Sequence, residues 1–435
     1  MAMIDLLSRW NRWGAATLAP GHARDVLEQI EPVLDTKDVV GLVGPRRAGK
    51  STVLYQLMDT IARRGVPPEQ MLHVNFEEPG FAAELGIELL DRIWSAYRDE
   101  VAPTGRVYLF FDEIQVVPGW ERWVRARSET EDVKVFVTGS SATLLSRELG
   151  TVLTGRHVSF RVHPLSFPEF LRFRGIAAPK SKRLVDAPPM QKALQEYVLW
   201  GGFPEVVLAA DPRRKELLLK QYFDDVVYRD VALRHEVRDL PTLRGLAVHL
   251  LGQTASLVTF QRLAGLLGVS VEQVRTYCGH LQEAMLLDLL PIYSQKLADR
   301  TRNPHKVFAV DTGLRNAVCF TATPDLGRLA ETVVFGALQR TPQDGLFYWR
   351  NGREVDLVVR RGERVVRAVQ VAYELRDAAT VAREFEGLER AAEVFPAAAR
   401  LLVVQKPQKT LPRGVAAAPG VLTRLLWRFL LAPAE

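Results

Sequence analysis

Apolar residues fall into short runs separated by longer stretches of helical period. The first clear run is Asp38-Val-Val-Gly-Leu-Val43, and MLHVNF (71–76), VYLFF (107–111), VKVFV (133–137) and HVSFRV (157–162) follow. Runs of four to six apolar residues with helical stretches between them predict parallel strands, covered on both faces by crossover helices. Residues 1–36 have a helical pattern ahead of the first strand. A stretch rich in Pro and Lys (171–195) breaks the rhythm and reads as a linker or lid, and 197–296 is mostly helical. Strands return after 305 in KVFAVD, LFYWR, EVDLVVRR, RVVRAVQVAYE and RLLVVQK. The expected fold is α/β: a P-loop domain with a parallel sheet (1–170), a helical lid or linker (171–235), a winged-helix-like region (236–300) and a C-terminal α/β domain (301–435).

The turn after the first strand carries the sharpest chemistry. Gly44-Pro45-Arg46-Arg47-Ala48-Gly49-Lys50-Ser51 fits G-x-x-x-x-G-K-[ST], and the helical STVLYQLMDTIARR begins there with Ser51 and Thr52. Glycines let backbone N–H groups curl round phosphates, and the helix N-terminus adds its partial positive charge. Lys50 is placed to bridge the β- and γ-phosphates of ATP and the Ser51 hydroxyl to ligate Mg²⁺.

VYLFF ends in Asp112-Glu113. A carboxylate at the end of a buried strand can hold Mg²⁺ through water, and the next one can act as base toward the attacking water. A second carboxylate points to hydrolysis, since a pure binding module has no use for it. The neighbouring strand ends in Thr138-Gly139-Ser140-Ser141. A hydroxyl there suits a sensor of the γ-phosphate; Ser140 is favoured, with Thr138 and Ser141 as alternates and plain helix capping as the other use of such residues. Arg156 is the candidate arginine finger, supplied in cis or by a neighbouring subunit. Arg46 and Arg47 are its rivals, and a surface ion pair is the alternative.

GPRRAGKST, LFFDEIQVVPGWE, TGSSATLL and LTGRHVSFRVHPLSFPEF, then YVLWGGFPEVV, YFDDVVYRDV, VFAVDTGL and YWRNGREVDLVV, occur in that order between about 37 and 375. In these segments the chain resembles the archaeal and bacterial AAA+ ATPases that carry a C-terminal domain of unknown function, DUF4143. The resemblance implies an ATPase and leaves its purpose open. It also implies a C-terminal domain similar to the PD-(D/E)XK nuclease fold, in which Glu331, Glu354, Asp356 and Gln370 follow the nuclease order. Two departures suggest a retained fold with lost catalysis. Gln370 stands where a second acidic metal ligand belongs and Ala372 where the lysine belongs; Glu374 could replace a ligand only with a shifted strand register.

Within 257–296 the pattern is helix, turn at Gly268, helix, strand. Ser270 and Gln273 form a capping box for the second helix. Val274, Tyr277 or Cys278, Leu281 and Met285 would face the core, and Gln273, Arg275, Thr276 and His280 would face solvent as on a recognition helix. Lys296, Arg300, Arg302 and Lys306 would form a basic wing touching phosphates. Packing alone, or contact with a protein, is the alternative use, because Glu272 and Glu283 dilute the positive field.

Charge adds little to this. Net charge is +6, with 51 acidic residues mixed among 57 basic ones, which permits DNA contact of weak sequence specificity without demanding it. No apolar stretch reaches the ~20 residues of a membrane span. Only Cys278 and Cys319 are present, too few for a disulfide framework. The expectation is a cytoplasmic, Mg²⁺-dependent ATPase acting with DNA, with a protein partner and a homo-oligomer left open.

Overall fold

The computed structural model describes residues 2–14, 20–140, 156–179, 188–302, 304–320, 325–341, 343–373, 375, 378–405 and 420–434. It divides into two compact units: Met1–His163 with Glu283–Met285, and Pro164–Gln282 with Leu286–Glu435.

The first unit is built on five parallel strands: β1 (Val39–Val43), β2 (Met71–Asn75), β3 (Val107–Asp112), β4 (Val133–Gly139) and β5 (His157–Arg161). Their order is β2-β3-β4-β1-β5, so β4 lies between the strand of the glycine loop and the strand of the paired carboxylates. The three inner strands, β3, β4 and β1, are buried along their whole length because both faces are covered. Val40, Leu42, Phe110 and Phe136 pack with Leu54, Leu57 and Met58 of the helix Lys50–Arg63. Val39, Val43, Leu109, Phe111, Val135 and Val137 pack on the opposite face with Leu89, Leu90, Trp120 and Trp123. Alternation along each strand produces this division, since successive side chains point to opposite faces. Ahead of β1 the chain is less helical than its pattern suggests: the described helices are Met3–Ser8 and Val26–Ile30, followed by a short 3-10 turn.

The second unit contains two sheets. The helix Leu240–Gly252, β6 (Ser256–Val258), the helices Phe260–Leu267 and Val271–Glu283, β7 (Leu287–Leu290) and β8 (His305–Ala309) follow in that order. The strands form an antiparallel sheet ordered β6-β8-β7. The C-terminal sheet is mixed. β9 (Gly345–Asn351), β10 (Arg353–Arg361) and β11 (Arg364–Ala372) are antiparallel, whereas β12 (Ala399–Val404) and β13 (Val421–Leu425) add in parallel beyond β11. Val334 and Leu338 of the helix Leu326–Gln339 and Val381 and Leu388 of the helix Ala378–Val394 share one core with this sheet. The short strands β6 and β13 carry no long apolar run and have no counterpart in the sequence reading.

Two of the segments named above, YVLWGGFPEVV and VFAVDTGL, meet at Asp311. Its carboxylate accepts from Gly202 N at 2.7 Å and Leu314 N at 2.9 Å. Gly201 has φ +73, and a Cβ there would lie 1.9 Å from Asp311 Oδ1; one on Gly313 would lie 2.1 Å from the Trp200 carbonyl. Only glycine lets these backbones approach so closely. Burial pushes the Asp311 carboxyl up to about 6, against the hydrogen bonds from backbone N–H groups. The WGGFPE and VDTGL segments therefore serve as a structural clasp.

Candidate functional site

The phosphate loop begins where β1 ends. A Cβ on Gly44 would lie 2.2 Å from the Val162 carbonyl, and Gly49 caps the helix Lys50–Arg63 at φ 95. The two glycines thus have different reasons: close approach at the first, a left-handed turn at the second. Arg47 also takes a positive φ of 68. Arg24, which the sequence gave no reason to single out, is buried beneath the loop. It donates to the Ala48 carbonyl and the His163 carbonyl, each at 2.7 Å.

Lys50 is 5% exposed and turns back on its own loop. Its Nζ donates to Gly44 O at 3.1 Å and Pro45 O at 3.4 Å, and lies 3.5 Å from Glu113 Oε1. Ser51 and Thr52 are half-buried in the first turn of the helix. The Ser51 hydroxyl faces the Asp112 carboxyl and favours its charged form. Desolvation, and then the Glu113 charge, push the Asp112 carboxyl above its ordinary range, against the Ser51 and Thr138 hydrogen bonds and the Lys50 charge. The donor set of hydroxyl and carboxylate oxygens suits a hard cation such as Mg²⁺.

Thr138 ties the two carboxylates together. Its hydroxyl donates to Asp112 Oδ1 at 2.5 Å and accepts from Glu113 N at 2.8 Å. Glu113 has φ 54, a left-handed conformation uncommon for a non-glycine residue and one that clusters at functional sites. Desolvation raises its carboxyl, but Lys50, the Gln115 amide and Arg46 outweigh it, and the net shift is downward. Glu113 is therefore held ionised. Arg46 pairs with Glu77 at 3.3 Å. Ser140 is buried at the end of β4, and Ser141 lies outside the described residues.

Arg156 is elsewhere. It precedes β5 at the amino end of the sheet, where its carbonyl accepts from Val39 N, and its guanidinium pairs with Glu129 at 2.8 Å. The loop follows the carboxyl end of β1, about 16 Å away along a five-residue strand. Arg156 does not reach its own phosphate loop.

Profiles of three families match the chain: AAA domain over residues 36–171, a domain of unknown function (DUF8612) over 191–325, and a domain of unknown function (DUF4143) over 326–419. An uncharacterized protein of Methanocaldococcus jannaschii is 30% identical over 379 residues, covering 85% of this chain and 82% of its own length. One of Haemophilus influenzae is 31% identical over 356 residues, covering 80% and 86%. The chain belongs to the family of AAA proteins with a C-terminal DUF4143 domain. Among solved structures, the Thermotoga maritima RuvB Holliday junction branch migration motor is similar at 15% identity and a TM-score of 0.32, covering 61% of this chain and 89% of its own. The Aeropyrum pernix ORC2 protein in its ADP form has 12% identity and the same TM-score, with 61% and 84% covered.

In the DUF4143 part of this AAA protein, Glu331, Glu354 and Asp356 do converge. Their common partner is Lys306 on β8, whose Nζ lies 2.5 Å from Glu331 Oε1, 2.8 Å from Glu354 Oε1 and 3.0 Å from Asp356 Oδ1. The expectation that Lys306 belongs to an exposed basic wing is corrected here, since its side chain is 2% exposed. Burial lowers the Lys306 ammonium, but Asp356, Glu331 and Glu354 outweigh it and hold it well above the ordinary lysine range. Burial and the Asp356 charge push Glu331 up to about 8, against Lys306. Gln370 accepts from Asp356 N at 3.3 Å and donates to Glu384 Oε2 at 2.6 Å.

On the helix Val271–Glu283, Ser270 Oγ accepts from Gln273 N at 3.1 Å, and Val274, Tyr277, Cys278 and Leu281 are buried. Arg275 and Thr276 are exposed. Gln273 donates to the Tyr277 hydroxyl, Arg275 lies over the Phe260 ring, and His280 stacks on His235 at 3.7 Å. Lys296 is exposed and Arg300 half-buried next to and within the helix Leu297–Arg302. No helix among the described residues is long and apolar enough to cross a membrane.

Proposed function

We propose that this AAA protein hydrolyses ATP in a Mg²⁺-dependent reaction, with the chemistry confined to the phosphate loop and the ends of β3 and β4. One observation carries this reading: Lys50 Nζ lies 3.5 Å from Glu113 Oε1, and Ser51 and Lys50 both act on the Asp112 carboxyl, although these residues come from two separate segments. Gly44 through Thr52 would cradle the phosphates with backbone N–H groups. Ser51, and Asp112 through water, would hold Mg²⁺, which when bound neutralises phosphate charge.

Lys50 has a double role in this account. Its ammonium is shared between two loop carbonyls and Glu113. ATP phosphates are stronger partners for an ammonium, so substrate would draw Lys50 away and release Glu113 toward water. Glu113 would then take a proton from the water that attacks the γ-phosphorus, the bond to the β–γ bridging oxygen breaks, and ADP and phosphate leave. Thr138 holds the Asp112 carboxylate and the Glu113 backbone in place, and Ser140 remains the candidate γ-phosphate sensor. An Arg156 finger would have to come from a neighbouring copy, which makes a homo-oligomer part of the proposal.

The rest of the chain would transmit nucleotide state through a lid (171–235), a winged-helix region (236–300) and a nuclease-like domain (301–435). The order helix, strand, helix, helix, strand, strand, with only the six-residue helix Leu297–Arg302 between the last two strands, and the β6-β8-β7 pairing favour the winged-helix reading. DNA contact through it would be weakly sequence-specific, because Gln273, Arg275 and His280 already have partners inside the domain. ADP release by the full chain, measured with Mg²⁺ and with a chelator, tests the core of the proposal. Turnover that requires Mg²⁺ and vanishes in Lys50→Ala is expected. ATP binding without turnover would make the protein a nucleotide-gated binding module instead.

A further inference from the structure

Metal-dependent chemistry in a nuclease-like domain needs a divalent cation among Glu331, Glu354 and Asp356, and the residues present do not fit one. We propose that the Lys306 ammonium is itself the cation of this cluster, an internal charge that takes the place of a metal and shuts the site to it.

The geometry is that of a cation site with an occupant. Three carboxylates reach one point from two elements. Glu331 comes from the helix Leu326–Gln339, while Glu354 and Asp356, two residues apart, project from the same face of β10. Lys306 Nζ sits at that point, 2.5, 2.8 and 3.0 Å from their oxygens. Its N–H groups donate to Glu354 and Asp356, and its charge pairs with Glu331. A divalent ion would need the same oxygens at roughly 2.0–2.6 Å from the same centre, so ion and ammonium exclude each other. The groups around them are committed as well. Asp356 Oδ2 accepts from Val371 N at 2.9 Å, and both ends of the Gln370 amide are bonded.

Lys306 arrives on β8, the strand that follows the wing, whereas its partners belong to the C-terminal sheet and its helix. The ion pairs therefore clasp the three-stranded sheet to the DUF4143 domain. Without a cation the buried Glu331 and Asp356 and the half-buried Glu354 would disfavour one another's charge and pull a metal in from solution. The site is a metal site in all but its occupant.

The test is Mn²⁺ binding to the full chain without nucleotide, read from the electron paramagnetic resonance signal of free Mn²⁺. Wild type, Asp356→Asn, Lys306→Ala and Lys306→Ala/Asp356→Asn are compared. Lys306→Ala should gain one Mn²⁺ per chain, bound at least about a hundredfold more tightly than by wild type, and Mn²⁺ should raise its melting temperature. The double variant should lose that site, and wild type and Asp356→Asn should behave alike. A folded Lys306→Ala that gains no Mn²⁺ overturns the proposal. So does a wild-type site that Asp356→Asn abolishes, and this comparison decides the matter even if Lys306→Ala does not fold.

Discussion

Lys50 Nζ stands 3.5 Å from Glu113 Oε1, so the residue proposed to bind phosphate and the residue proposed to activate water are ion-paired. The pairing explains how a half-buried Glu113 stays ionised, and in the proposed mechanism it makes water activation contingent on substrate. Lys50→Ala should abolish nucleotide binding, because Arg46 is engaged with Glu77 and the loop has no other ammonium to meet the γ-phosphate. Fluorescent-nucleotide titration checks this. Retention of wild-type affinity would place the phosphates elsewhere.

Thr138 is expected to matter for rate rather than affinity. It bonds Asp112 and the Glu113 backbone at once, and Thr138→Val keeps the shape while removing both bonds. Turnover should fall by about tenfold or more, as when a base is left misplaced, with the ATP Kd changed much less. Steady-state kinetics beside equilibrium binding separates the two.

The glycine loop and the carboxylate pair were legible in the sequence because their chemistry is local. G-x-x-x-x-G-K-S and Asp112-Glu113 each sit at the end of an apolar strand, and periodicity alone places both. What stayed hidden depends on residues far apart in the chain. Arg24 meets the Ala48 carbonyl from 24 positions away, and no local pattern announces a guanidinium under a loop. Lys306 reads as a wing cation because its neighbours in sequence are basic; two of its three partners lie 48 and 50 residues away. The fold class followed from the strand runs, whereas β6 and β13 are too short and too polar to be seen.

His73 gives the AAA unit an acid sensitivity of its own. It is fully buried in β2, and burial lowers its pKa to about 3 from an ordinary value of 6.5. The unfolded chain takes up a proton below about 6.5 that the folded one refuses, so this contribution is present above that pH and is lost as pH falls toward 3. Between pH 6.5 and 5 the loss from this residue is about 2 kcal/mol. Urea midpoints should fall more steeply over that interval in wild type than in His73→Leu. Equal slopes would mean that His73 is protonated in the fold.

DNA binding, where it occurs, should weaken steeply with salt and differ little between sequences. Neutralising Arg300 and Arg302 together should reduce the slope of log affinity against log salt by about one unit per lost phosphate contact. Fluorescence anisotropy over a salt series measures it. An unchanged slope would take these residues out of the interface.

The most direct test of the account is ATP turnover by Glu113→Gln. Glutamine fills the same space and keeps the backbone hydrogen bond to Thr138, yet it cannot accept a proton from water. Nucleotide binding should persist, while ADP release under saturating ATP and Mg²⁺ should drop by about a hundredfold or more. Hydrolysis by Glu113→Gln at the wild-type rate would contradict the assignment of the catalytic base, and with it the reading of the whole site.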